Sequence, residues 1–228
     1  MLDFTPEEWT AIVLSLKVAL TATLCALPPA IAAAYLLARR DFWGKALFDA
    51  AVHLPLVLPP VVTGYALLLA FGRRGWFGGF LADTLGVVFA FRWTGAALAS
   101  GIMGFPFLVR AARLSFEAVD RRLEQAAATL GAGRWRVFLT ITLPLAAPGI
   151  LAGMVLCFAK ALGEFGATIT FVSSIPGETQ TLSSAIYTQV QTPGGDTAAL
   201  RLTLVAVALT VAALIASNYL SRRAQSWR

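Results

Sequence analysis

Residues 9–37, 51–71, 94–112, 143–165 and 198–219 are long apolar runs in which a charged side chain is rare. A bilayer core about 30 Å thick is crossed by a helix of about 20 apolar residues. Inside it every backbone polar group must be satisfied within the chain, which leaves helices as the fold for such runs. The rest of the composition agrees: 58% of residues are apolar, 13% are charged, and the mean hydropathy is +0.74. A soluble domain has about 45–50% apolar and about 25% charged residues. The chain therefore reads as all-α, an integral membrane bundle of about five transmembrane helices, with no soluble domain and no fixed-period repeat.

The start of the chain reads as an uncleaved span. Thr5-Pro6-Glu7-Glu8 has the spacing of a capping box, with proline at the first helical position. A secretory signal would open on basic residues and carry a shorter apolar core. The second run holds Pro55, Pro59, Pro60 and Gly64. These breakers suit a bent pore-lining helix and a kinked packing helix equally well. The apolar stretch 85–91 is too short to span, and is expected to lie in the interface or to re-enter.

The residue types exclude several chemistries. Cys25 and Cys157 sit in apolar runs and read as small buried hydrophobes. His53 is the one histidine, so no histidine metal cluster can form; it reads as a capped or pore-facing side chain. A net charge of +6 would suggest nucleic acid in a soluble protein. Here the basic residues gather in short loops, which points to membrane topology instead. In a five-span arrangement Arg39, Arg40, Lys45, Arg110, Arg113, Arg121, Arg122, Arg134, Arg136, Arg222, Arg223 and Arg228 share one side, twelve of eighteen basic residues. Arg73, Arg74, Arg92 and Arg201 lie opposite, with Asp3, Glu7, Glu8, Asp83, Glu178 and Asp196. The positive-inside rule then places the N-terminus outside and the C-terminus in the cytoplasm.

One loop carries a helix of its own. In Asp120-Arg121-Arg122-Leu123-Glu124-Gln125-Ala126-Ala127-Ala128-Thr129-Leu130-Gly131, Asp120 is a good N-cap and Gly131 a natural stop. Leu123, Ala126, Ala127 and Leu130 form a small apolar stripe. So short a helix needs a partner surface, either the chain's own spans or a separate subunit.

This loop resembles the signature of ABC-importer permeases: Glu-Ala-Ala, three residues, Gly, nine residues, Ile-x-Leu-Pro. Here it reads Gln125-Ala126-Ala127, Gly131, Ile141-Thr142-Leu143-Pro144, departing only at Gln125, with Glu124 alongside. The resemblance extends over the chain to permease subunits of molybdate importers, through 53–62, 130–136, Gly163-Glu164-Phe165-Gly166-Ala167-Thr168, 175–179 and 191–195. Sulfate permeases share the general pattern. The resemblance implies a type I ABC importer permease fold in a single transmembrane domain over residues 1–228 (core about 11–219), with a cytoplasmic coupling loop at about 113–142. Its coupling residues would be Gln125, Ala126, Ala127, Gly131, Ile141, Leu143 and Pro144. It also implies the assembly: a second copy of the chain, two copies of an ABC ATPase that uses ATP and Mg, and a periplasmic molybdate-binding protein. The location would be a bacterial inner membrane. No cofactor would bind this chain, and no G-x-x-x-x-G-K-[ST] phosphate loop is present.

Ionisable residues within spans are functional candidates by default. Lys160 and Glu164 are four apart and expected to pair, and a gate or hinge role suits Glu164 with Phe165. Thr168 and Thr170 offer hydroxyl donors, which suits weak passage of a dianion or ordinary helix-end solvation. Tungstate and sulfate are alternative cargoes. An intramembrane enzyme lacks a nucleophile–base or metal motif, and a passive channel would have no use for the coupling loop.

Overall fold

The computed structural model describes residues 4–225, and among these it is helical with no strand. Asp3 and Arg228, both used in the topology reading, lie outside the described residues, as do the side chains of Arg222 and Arg223. Helix α1 (Pro6–Arg39) opens with the expected capping box: Glu8 N–H donates to Thr5 Oγ1 (3.2 Å), and Thr5 N–H to Glu8 Oε2 (2.7 Å).

Three long helices form the core: α1, α5 (Trp93–Ala118) and α8 (Leu143–Leu162). Small residues bring their backbones together. Ala19, Ala22, Ala30, Ala34, Ala96, Ala99, Ala112 and Ala146 are buried. Gly104 lies so close to α8 that a Cβ there would sit 2.6 Å from Cys157 Sγ. Lipid gives helices no hydrophobic reason to associate, so close packing of small residues carries the association.

The second run is not one helix. It divides into α2 (Lys45–Val57) and α3 (Pro60–Phe71), bent 113° from each other. Pro60 pushes the residue before it out of the helical region, and Pro59 is extended at φ −53, ψ 133. The described residues thus hold four helices able to cross a membrane, or five if the bent pair counts as one span. The next helix, α4 (Trp76–Leu85), precedes the apolar stretch 85–91 instead of lying within it.

The stretch 113–142, expected to be the coupling loop, is helical at both ends. Arg113 is still inside α5 and pairs with Glu117 one turn on (2.8 Å). At the far end, α7 (Arg134–Val137) passes through a π-helical turn (Phe138–Thr142) directly into α8. The fourth span therefore begins at about residue 134, not 143. After α8 come two short helices, α9 (Gly166–Val172) and α10 (Leu182–Gln191), then the long α11 (Asp196–Gln225). Arg201 of α11 pairs with buried Glu8, so α11 starts at the end of the bundle where α1 starts.

Candidate functional site: the coupling helix and the broken helices

Between α5 and α7 lies α6 (Arg121–Thr129). The Asp120 carboxylate accepts from Arg122 N–H (2.9 Å), and Gly131, at φ +84, ends the helix. Its N–H donates to Ala128 O, and that of Ala132 to Ala127 O. Only glycine adopts this conformation without a steric cost, so the stop is written in the sequence. The helix has no buried residue. Leu123 and Ala126 are exposed and Leu130 is 89% exposed, a row of apolar side chains with no cover in this chain.

The other face of α6 looks back at the bundle across a cavity of about 820 Å³, lined by Tyr35 and Arg40 on one wall and Gln125, Ala128 and Trp135 on the other. Gln125 thus belongs to the inner face. Beside it, Glu124 Oε1 accepts from Arg39 Nη2 (3.1 Å) at the end of α1 and from Thr142 Oγ1 (2.7 Å) at the start of α8. Arg39 Nη2 also donates to Val119 O (3.1 Å). Ile141 and Leu143 are half-buried, and Leu143 packs on the core. Ile141 and Leu143 therefore root the loop in the bundle, whereas Pro144, at the start of α8, is exposed. The tie through Glu124 was not foreseen. Its only sequence signal was an acidic residue beside the position where the signature has glutamate.

The second group of candidates lies where helices break. After α8 the chain turns at Gly163-Glu164-Phe165. Glu164, 2% exposed, uses Oε1 to accept from Ala167 N–H (2.9 Å), which caps the short α9, and Oε2 to accept from Lys160. The expected i,i+4 pair is present. Phe165 packs against Tyr187 of α10, ring centroids 4.8 Å apart. The hydroxyls of Thr168 and Thr170 donate to Phe165 O and Gly166 O, both at 2.9 Å. They are spent on their own helix, so in this conformation they offer an anion no proton.

The two broken regions meet. A Cβ on Gly64 of α3 would lie 2.5 Å from Ala167 O, and one on Gly166 would lie 2.7 Å from Pro60 Cβ. Ser15 and Ser183 place α10, and neither was singled out in the sequence. Ser15 Oγ accepts from Leu182 N–H (2.6 Å), and Ser183 Oγ donates to Leu162 O (3.2 Å). His53 Nδ1 lies 2.9 Å from Asp49 O within α2. Lys17 places Nζ 3.7 Å from the centroid of the Trp93 ring, a cation–π contact.

A bundle of long apolar helices, with half-helices inside it and an uncovered amphipathic helix at one end, defines a polytopic transport subunit that needs an outside partner. The comparisons with known proteins agree. The family described as binding-protein-dependent transport system inner membrane component matches residues 30–226, and the chain belongs to it. It is accordingly a non-catalytic, multi-pass membrane subunit that works with an ATPase and a substrate-binding protein. The chain is 60% identical over 218 residues to the molybdenum transport system permease protein ModB of Escherichia coli (strain K12), covering 96% of this chain and 95% of that one. It is 42% identical over 176 residues to the sulfate transport system permease protein CysW of Synechococcus elongatus, covering 75% of this chain and 61% of that one. A crystal structure of a bacterial alginate ABC transporter bound to its alginate-loaded periplasmic protein superposes with a TM-score of 0.76 at 19% identity, covering 97% of this chain and 81% of that one. The fold is that of a type I ABC importer permease.

Proposed function

We propose that this chain is the membrane permease of a molybdate importer, acting as a homodimer with two copies of an ATPase and fed by a periplasmic molybdate-binding protein. The observation that carries the cargo is the similarity to molybdenum permeases, which extends over nearly the whole of both chains, while sulfate permeases match at lower identity over less of it. Tungstate, close to molybdate in size and charge, is expected to share the path. ATP and Mg are bound by the ATPase, and this chain itself holds no cofactor.

The exposed row Leu123, Ala126 and Leu130 on α6, with Ala127 and Gly131, is the surface that docks in the ATPase. The docking end carries Arg39, Arg40, Lys45, Arg121, Arg122, Arg134 and Arg136, which supports a cytoplasmic location for it and an external N-terminus. Exposed tryptophans support the same embedding: Trp9 near the other end, Trp43 and Trp135 near this one, at the depths where indole rings favour the headgroups. Lys160 with Glu164 and Phe165 act at the hinge between α8 and α9, not as ligands of the anion. A free carboxylate there would repel a dianion, whereas a paired one that caps a helix does not.

The test is uptake of labelled molybdate by cells carrying the permease, ATPase and binding protein, with unlabelled molybdate, tungstate and sulfate as competitors. Molybdate and tungstate are expected to suppress uptake and sulfate to leave it nearly intact. Equal competition by sulfate would overturn the cargo assignment.

A further inference from the structure

We propose that Glu124 is the positioning residue through which movement of α6 reaches the membrane spans, by holding the end of α1 and the π-helical turn before α8 with a single carboxylate oxygen. This rests on the reading of α6 as the docking helix and says how force leaves it.

Three observations carry the proposal. First, α6 is uncovered on its outer side and has no buried residue, so its attachment to the bundle depends on a few specific contacts. Glu124 Oε1 supplies two of them, to Arg39 and to Thr142, residues 85 and 18 positions away along the chain. Arg39 is 7% exposed at its side chain and Thr142 is 1% exposed overall, so both bonds lie where water competes poorly.

Second, Thr142 does not use its hydroxyl as five other helical threonines do. Thr140, Thr170, Thr188, Thr203 and Thr210 each turn the hydroxyl back onto the carbonyl four residues earlier. Thr142 gives its proton to Glu124 instead. It closes the π-helical turn, where Leu143 N–H reaches back five residues to Phe138 O. A π turn holds one residue more than an α turn and is the less stable of the two. The Glu124 bond holds the turn from outside. Once it is released, the Thr142 hydroxyl is free to bond Phe138 O, as its neighbours bond theirs, and the turn can tighten to α-helix. That change rotates everything before it relative to α8.

Third, Arg39 is bound through one terminal nitrogen only, and its buried Nε has no partner. A buried donor left unpaired has a standing cost. It also marks a second arrangement within reach. A forked guanidinium–carboxylate pair would satisfy Nε and draw Glu124 off Thr142. The two arrangements differ in which helix α6 grips more firmly, α1 or α8, and docking of an ATPase on the outer face of α6 would bias one over the other.

The test uses the whole transporter, with permease, ATPase and loaded binding protein in liposomes, reading ATP hydrolysis and molybdate uptake side by side. Thr142→Val keeps the shape and removes the hydroxyl. It is expected to leave the ATPase bound and hydrolysing while molybdate moved per ATP falls about tenfold, the loss of one charge-assisted hydrogen bond. Thr142→Ser is expected to restore the ratio, and Glu124→Gln to lower it. An unchanged ratio in Thr142→Val, or uptake and hydrolysis falling together, would overturn the role given to Glu124. Leu130→Asp separates this from the docking reading: if that variant still held its ATPase, the outer face of α6 would not be the docking surface.

Discussion

At the scale of single residues, the polar side chains of this protein are chiefly occupied in repairing its backbone. Glu164 caps α9 and neutralises Lys160; the sequence showed the pair, through its spacing, but not the cap, because nothing local said that α8 would end at Leu162. We expect Glu164→Gln to lower thermal stability in detergent by about 1–3 kcal/mol, the cost of a broken buried hydrogen-bonded pair. The double variant with Lys160→Met is expected to recover a large part of it, since the stranded charge is gone. Thr179 is a second example. Buried at the start of the approach to α10, it accepts from Ile175 N–H and donates toward Val172 O and Ser173 O. These contacts hold Ser173 at φ 64, ψ −167, a region open almost only to glycine. Ser173→Gly should therefore raise stability by about 1 kcal/mol, seen as a higher melting temperature.

At the scale of elements, legibility followed locality. The start of α1 and both ends of α6 were legible because caps and stops act within four residues: Thr5 with Glu8, Asp120 with Arg122, Gly131 with Ala128. The extent of the loop that carries α6 was not, because Arg113 and Arg134 looked like loop charges and are helical residues at span ends. The break at Pro59-Pro60 was visible as a run of prolines. Its 113° angle was not, since the angle depends on α3 settling against α9. Two predictions belong here. Gly131→Asp strains the helix stop and places a charge beside the docking face; it should abolish uptake while the protein still inserts, checked by membrane fractionation together with uptake. Gly64→Val should force α3 off Ala167 and cost most of the uptake activity while the ATPase remains bound, checked by co-purification.

At the scale of the whole molecule, α1, α5 and α8 form a trunk, and everything that distinguishes a transporter from a plain bundle hangs on it. Apolar length marked all three as spans, but it marked 198–219 equally and so did not single out the trunk. It gave no helix at α9 or α10, because helices of 7 and 10 residues have no span-length signature. If the proposed orientation is right, a reporter that needs the cytoplasm should work when fused after the last residue and fail when fused before the first. The reverse result would invert the topology.

The shortness of α3, α9 and α10 also has a consequence in time. A helix of twenty or more apolar residues can enter the bilayer and persist there unaided, with its backbone satisfied internally. A helix half that length cannot: its terminal N–H groups wait for partners, as Leu182 N–H does for Ser15 of α1 and Ala167 N–H for Glu164 beyond the end of α8. Those partners exist only after α1 and α8 are in place. The protein must therefore assemble in two stages, trunk first and half-helices afterwards, so that lesions in the trunk are lesions of biogenesis and lesions among the half-helices leave an inserted, protease-resistant and inactive permease.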